Sequence, residues 1–147
     1  MIYTAQTKKA IKLMFEAHKE QVDKAGLPYV FHPFHLAEQM TDEESTVCAL
    51  LHDVVEDTDY TFDDLLAMGF PKVCIDALRL LTHAEGVPYM DYVKEIAKNP
   101  IARAVKLADL RHNSDRTRIE GEADEKMLLR WKKYAEAIAY LEGEEQV

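Results

Sequence analysis

The chain is poor in the residues that punctuate or staple a fold. Its 147 residues include only 5 glycines, 5 prolines and 2 cysteines. Cys48 and Cys74 form no CxxC and sit in apolar helical patterns, which excludes a disulfide framework and fits a reduced, cytoplasmic setting. No apolar run approaches the ~20 residues that a membrane span needs. The first residues, Met1 to Lys9, lack the apolar stretch and cleavage site of a secretion signal. A basic surface is also missing: the formal charge is −9, which argues against a nucleic-acid partner. Lys and Arg are absent altogether between Thr41 and Asp64, a stretch rich in acids.

Helix-forming sequence is abundant. With 48% hydrophobic and 31% charged residues and no alternating strand pattern, the chain reads as one compact all-α domain over 1–147, a bundle of about eight helices. Apolar spacing predicts a first helix from Thr4 to about Lys24, ended by Ala25-Gly26-Leu27-Pro28. Pro33 can open a short helix to Met40, and Thr41-Asp42-Glu43-Glu44 has the form of a capping box ahead of the helix that carries His52. Thr61 to Asp64 repeats that cap in a weaker form. Helices are expected at about 71–81, 88–98, 100–114 and 122–142. There is no internal repeat, linker or low-complexity tract, and nothing assigns an oligomeric state.

The most informative stretch runs from Leu50 to Asp57, where His52, Asp53, Glu56 and Asp57 interrupt an apolar run. An unpaired buried charge costs several kcal/mol, so such groups are normally paired or bind a metal. On one continuous helix His52 would lie under Glu56 and Asp53 under Asp57, two neighbouring pairs with an inner ligand and an outer carboxylate. Asp109 falls one turn beyond Val105 on the apolar stripe of its helix, with Asn113 a turn further on. His32 sits among aromatics at a helix start, with His35 as its rival. His32, His52, Asp53 and Asp109 offer two nitrogens and two carboxylates, a set suited to Mn²⁺, Fe²⁺ or Zn²⁺. Between Arg103 and Arg118 basic residues outnumber acids, and that segment, facing the acidic one, would suit phosphates. His18 and His112 read as braces of the site, and Trp131 and Tyr134 as core aromatics that could flank a base.

These residues resemble a known family. His52-Asp53 with His32 before it and Asp109 far beyond resembles the HD-domain phosphohydrolase pattern. The longer motifs narrow the likeness: His18-x-x-Gln21-x-x-Lys24-x-Gly26-x-Pro28-Tyr29-x-x-His32-Pro33, then Ala49 to Thr58, Leu81-Thr82, and Lys106-Leu107-Ala108-Asp109-x-x-His112-Asn113. Over about residues 8–116 the chain is similar to the hydrolase domain of RelA/SpoT proteins, above all their stand-alone small alarmone hydrolases. The resemblance implies an all-helical fold and a Mn²⁺ ion on His32, His52, Asp53 and Asp109. It implies that Glu56 and Asp57 activate or orient the attacking water, and that Lys24 and Asn113 contact the nucleotide. The implied reaction removes pyrophosphate from the ribose 3′ position of (p)ppGpp, with no synthetase domain in a chain of this length.

The chain departs from that pattern in two places. The family has Arg-Lys where Asp23-Lys24 stand, and that arginine lies against the guanine base; an acid cannot replace a stacked guanidinium. After Asp109 the chain reads Leu110-Arg111-His112-Asn113-Ser114-Asp115-Arg116, where the family often has Arg-Leu-His-Asn-Met-Arg-Thr. Another 3′-phosphorylated nucleotide, or NADPH, is therefore an alternative substrate. A helical binding module that keeps the fold without chemistry is the non-enzymatic alternative, although every ligand and acid position is filled.

Overall fold

The computed structural model describes residues 1–145 and is all-helical, as expected. The nine α-helices among the described residues are α1 (Ala5–His18), α2 (Phe31–Glu38), α3 (Glu43–Leu51), α4 (Val54–Asp57), α5 (Phe62–Ala67), α6 (Lys72–Leu81), α7 (Tyr89–Ala97), α8 (Pro100–Asn113) and α9 (Glu125–Glu145). α4 is a single turn, and a 3-10 turn at Arg116–Arg118 joins α8 to α9.

α3 is the axis of the fold. All residues from Ser45 to Leu51 are buried, and α1, α2, α6 and α8 pack around it. A helix that is apolar on every side has to be enclosed by others. Fully burying each of Val47, Leu50 and Leu51 contributes about 1.5–3 kcal/mol. Any polar group at the end of such a helix is carried inside with it, which explains how His52 comes to be 5% exposed.

Three differences from the sequence reading shape the site, each for a local reason. α1 stops at His18, because Gln21 N–H turns back to the His18 carbonyl (2.9 Å) and an isolated antiparallel bridge forms between Val22 and Pro28. Asp23 locks this turn by accepting from the backbone N–H groups of Ala25 (2.9 Å) and Leu27 (3.0 Å), and Gly26 supplies the positive φ of 82°. Lys24 therefore sits on a tight turn instead of a helix end. The cap of α3 is Asp42, whose carboxylate accepts from Ser45 N–H at 2.8 Å; Thr41 lies outside it.

The third difference concerns the helix expected to run through Glu56. α3 ends at Leu51, Asp53 takes φ −109° and ψ 3°, and α4 begins afresh. The stacking of His52 under Glu56 along one helix is thus replaced by a bend at His52-Asp53. The Asp57 N–H still reaches the Asp53 carbonyl (2.9 Å), so that four-residue spacing survives the break.

Two further starts are shifted, α2 beginning at Phe31, ahead of Pro33, and α9 at Glu125, after the expected 122; the remaining helix starts follow their signals. Thr61 and Asp64 form a complete reciprocal capping box, and Asn99 caps α8 with Pro100 in its first turn. Pro71 and Pro88 immediately precede α6 and α7. Asp42→Ala should lower the unfolding free energy by about 1 kcal/mol, the usual worth of a helix N-cap, while Thr41→Ala should leave it unchanged. Urea denaturation of both variants checks this; equal losses would return the cap to Thr41.

Candidate metal centre and facing basic wall

His32 on α2, His52 at the end of α3 and Asp109 on α8 converge, each offering one ligand atom within 4.8 Å of the others. All three are buried. His32 Nε2 lies 2.9 Å from Asp109 Oδ1, and His52 Nε2 lies 3.6 Å from that same oxygen. Asp53 borders the trio: its Oδ2 is 3.0 Å from His52 Nε2 and also accepts the Tyr29 hydroxyl. His35 is exposed and packs against His112, with ring centroids 4.3 Å apart, so it is not part of the cluster.

The donor set fits a divalent cation. His52 Nε2 is buried and has no hydrogen-bond partner among the described residues, although two carboxylate oxygens stand close to it. Its Nδ1 is 2.7 Å from the Ala49 carbonyl and can only donate there, so Nε2 is the nitrogen that faces the cluster and the one that carries the lone pair when the imidazole is neutral. Ala49 O is one of the carbonyls that the end of α3 would otherwise leave open.

His32 is braced in a similar way, its Nδ1 2.7 Å from His112 Nδ1. Burial, with Arg118 nearby, pushes the His112 imidazole down to about 4, so it is neutral and can accept that proton. The His32 and His112 rings are stacked 5.0 Å apart. His112 is therefore a brace, as expected. His18 is too: fully buried, it donates from Nδ1 to Gln21 Oε1 (2.8 Å) and packs on Tyr29.

Asp109 carries the heaviest electrostatic load. Burial raises its carboxyl, and Lys106 and the two imidazoles overturn that effect and hold it well below the usual range. Lys106 Nζ sits 2.9 Å from Asp109 Oδ2, and Asn113 Nδ2 donates to Oδ1 at 3.0 Å. Burial likewise opposes the charged form of His52, and Asp53 and Asp109 reverse it, raising the imidazole well above its ordinary value. The pocket floor thus attracts positive charge whichever species supplies it.

Glu56 and Asp57 line the same cavity, of about 730 Å³, as Asp53, His32 and Asp109. Both carboxyls are raised, by burial first and then by the negative charge of Asp53. Lys24 and Asn113 line it too.

The opposite wall is basic, but not as expected. Of the segment 103–118, only Lys106 and Arg118 among its basic residues face the cavity. Arg103 is bound to the Ala97 carbonyl, Arg111 pairs with Glu142 (2.7 Å) and Arg116 covers the Trp131 ring. A helix turns about 100° per residue, so Arg111 points away from the face that carries Asp109.

The missing cations come from α9: Arg130 and Lys133, with Met127, Trp131 and Tyr134, line the cavity. Burial and the like charges of Arg130 and Lys133 lower the pKa of Lys24. The sequence signal was present, since 127, 130, 131 and 134 form one helical stripe that mixes cations with aromatics, unlike a core face. Trp131 and Tyr134 are half-buried and line the pocket, Tyr134 with its inner side against the core.

Comparison with known proteins agrees with this geometry. No protein-family model matches the chain. It is 34% identical over 119 residues to a probable GTP pyrophosphokinase of Mycobacterium leprae, a match spanning 71% of this chain and 15% of that protein. It is 31% identical over 112 residues to the bifunctional (p)ppGpp synthase/hydrolase SpoT of Escherichia coli, covering 67% of this chain and 16% of SpoT. A guanosine-3′,5′-bis(diphosphate) 3′-pyrophosphohydrolase of Aquifex aeolicus is 39% identical over 67 residues, 43% of this chain and 10% of that protein. The chain is a relative of the RelA/SpoT proteins.

These matches span only 10–16% of the length of the relatives. For the fold of this RelA/SpoT relative, the solved structure of a metazoan ortholog of SpoT that hydrolyzes ppGpp superimposes with a TM-score of 0.73. The two are 24% identical, and the match covers 96% of this chain and 87% of that one.

Lys106→Met keeps the aliphatic stem and removes the ammonium that compensates Asp109. It should destabilise the metal-free protein by about 3 kcal/mol, the scale for breaking a buried ion pair. Guanidinium denaturation in the presence of a chelator measures it; a loss below about 1 kcal/mol would show that other groups carry Asp109.

Proposed function

We propose that this chain is a metal-dependent nucleotide pyrophosphohydrolase that releases pyrophosphate from the ribose 3′ position of (p)ppGpp-like alarmones. The observation that carries the reading is the meeting, in one cavity, of a buried His32-His52-Asp109 cluster with a wall of lysine and arginine. Such a pocket takes a cation at one end and a polyanion at the other. Relatives bear the names of both a pyrophosphokinase and a pyrophosphohydrolase. Glu56 and Asp57 beside the ligand cluster suit the second, since a carboxylate there can take a proton from water.

In this reading His32, His52, Asp53 and Asp109 hold one divalent ion, Mn²⁺ by the family resemblance. When bound, such an ion lowers the pKa of water and offsets charge on the phosphoryl oxygens. The remaining work falls to the chain. Tyr29 holds the Asp53 carboxylate by its hydroxyl, and Ala49 and His112 fix the two imidazoles. Glu56 and Asp57 orient the attacking water and receive its proton; their raised carboxyls sit nearer neutrality than an ordinary acid, which suits a general base. Lys24, Arg130 and Lys133 hold the phosphates that do not react.

Asn113 is bound to Asp109 in this structure, so its contact with nucleotide is made while it also steadies a ligand. The whole of 1–147 acts as one catalytic domain, working in the cytoplasm; no helix among the described residues is long and apolar enough to cross a membrane. A second reading, an HD-type phosphatase of another 3′-phosphorylated nucleotide or NADPH, is favoured by one observation, the acid at position 23.

The decisive experiment is a nucleotide panel with added Mn²⁺, Co²⁺ or Zn²⁺, scored for pyrophosphate against orthophosphate. Pyrophosphate from ppGpp supports the lead reading, orthophosphate from NADPH the second, and no release with any metal removes both. Asp53→Ala should lose metal and turnover together, and full activity would refute the ligand set. Glu56→Gln should keep the metal, by metal analysis of the purified protein, and lose about 10²–10⁴-fold in rate. Loss of metal with it would make Glu56 a ligand.

A further inference from the structure

Asp23 and Arg118 form an ion pair in the lining of the cavity that the proposed reaction leaves unused. Asp23 Oδ2 accepts from Arg118 Nη2 at 2.8 Å, although the two lie 95 residues apart. Their side chains are 11% and 17% exposed, so the pair is largely out of water. The Asp23 end is rigid, its other oxygen being tied to the backbone of the Val22–Pro28 turn. The Arg118 end is held a second time, Nη1 donating to the His112 carbonyl at 2.9 Å.

Both hydrogen bonds engage the edge of the guanidinium, because its N–H bonds lie in the plane of the group. Neither flat face is stacked on an aromatic ring among the described residues. Arg116 differs in this respect, since its face is taken by Trp131 at 4.6 Å. Arg118 lines the cavity alongside Ile119, Met127 and Trp131. A planar cation with clamped edges, bordered by apolar and aromatic side chains, is a stacking surface for a flat conjugated ring. Its orientation is fixed before a ligand arrives, which removes an ordering cost from binding.

We infer that Arg118 is the nucleobase platform of this pocket and that Asp23 is the positioning residue that holds it. The inference rests on the nucleotide reading above and deepens it. It also explains the acid at position 23: the cation that meets the base comes from the opposite wall, and the acid anchors it. Asp23 offers little to a base edge itself, because one oxygen already accepts two N–H groups and the other accepts Arg118. Recognition by stacking with few edge contacts is tolerant of base identity.

The test is equilibrium binding by calorimetry in chelator, so that turnover plays no part. The ligands are guanosine 3′,5′-bis(diphosphate) and an abasic analogue with hydrogen in place of the base. Wild type should prefer the nucleotide by about ten-fold or more, the range of one stacked base. Arg118→Ala should bring that ratio near one. Arg118→Lys, which keeps the charge and can keep the pair with Asp23, should fail to restore it. Asp23→Asn should give an intermediate ratio.

A purely structural pair would weaken both ligands equally and leave the ratio intact, which overturns the inference. So does full preference in the lysine variant, or wild-type binding that ignores the base. If binding discriminates as expected and turnover assays with metal stay blank, the hydrolase reading alone fails.

Discussion

The buried carboxylate of Asp109 is the constraint around which the site is organised. A carboxylate at 7% exposure in a helical core is tolerable only if most of its lone pairs are engaged and its charge is balanced. Lys106, Asn113 and His32 meet those demands from separate directions, with His52 close by. The compensation is incomplete in an informative way. His52 Nε2 stands beside two carboxylates with no well-formed hydrogen bond to either, so a proton or a metal cation has to balance it there. A centre built only for stability would satisfy that nitrogen. One that leaves it open, with its other nitrogen firmly tied, has the form of a ligand set whose central cation completes it.

The fold supplies this arrangement through the way α3 ends. Burying α3 on all sides brings its C-terminus into the interior, where its last carbonyls need donors. His52 provides one with Nδ1 and thereby fixes its own tautomer. The bend at Asp53 then turns α4 so that Glu56 and Asp57 emerge on the cavity wall instead of continuing into the core. An uninterrupted helix would have kept His52 and Glu56 stacked but would have carried the outer acids along the axis of α3. The break that the periodicity of Val47, Leu50, Leu51, Val54 and Val55 conceals is therefore what separates inner donors from outer acids.

Much of this was legible in local sequence, because it rests on short-range contradictions. His52-Asp53 inside an apolar run and Asp109 on an apolar stripe both stand out against helical periodicity; His52 and Asp109 prove buried and Asp53 half-buried. Helix starts marked by Thr61, Asn99 and the prolines were equally visible. What escaped notice depends on pairs remote in sequence or on rotation about a helix. Position 23 alone reads as the loss of an arginine, and only its partner 95 residues away shows that the cation has moved. A count of basic residues over 103–118 does not show that successive residues of α8 point in different directions. The half of the basic wall on α9 is hidden in the sequence by Trp131 and Tyr134, whose helical spacing matches that of core aromatics.

The two walls of the cavity also limit what the pocket can select. Asp53, Glu56, Asp57 and Asp109 repel a free phosphate from the ligand cluster until a cation lies between them. Lys24, Arg130 and Lys133 repel one another and gain from any polyanion placed among them. With a cation seated among those acids, one phosphate can be held by the cation and another by the basic wall, so a ligand with two separated anionic groups engages both ends of the pocket. In the reading proposed above, a ribose phosphorylated on its 3′ and 5′ oxygens has that form, and its charges favour it before any contact to the base. The base surface is free to be a flat, clamped cation instead of a set of edge-reading donors and acceptors, and Asp23 with Arg118 has that construction.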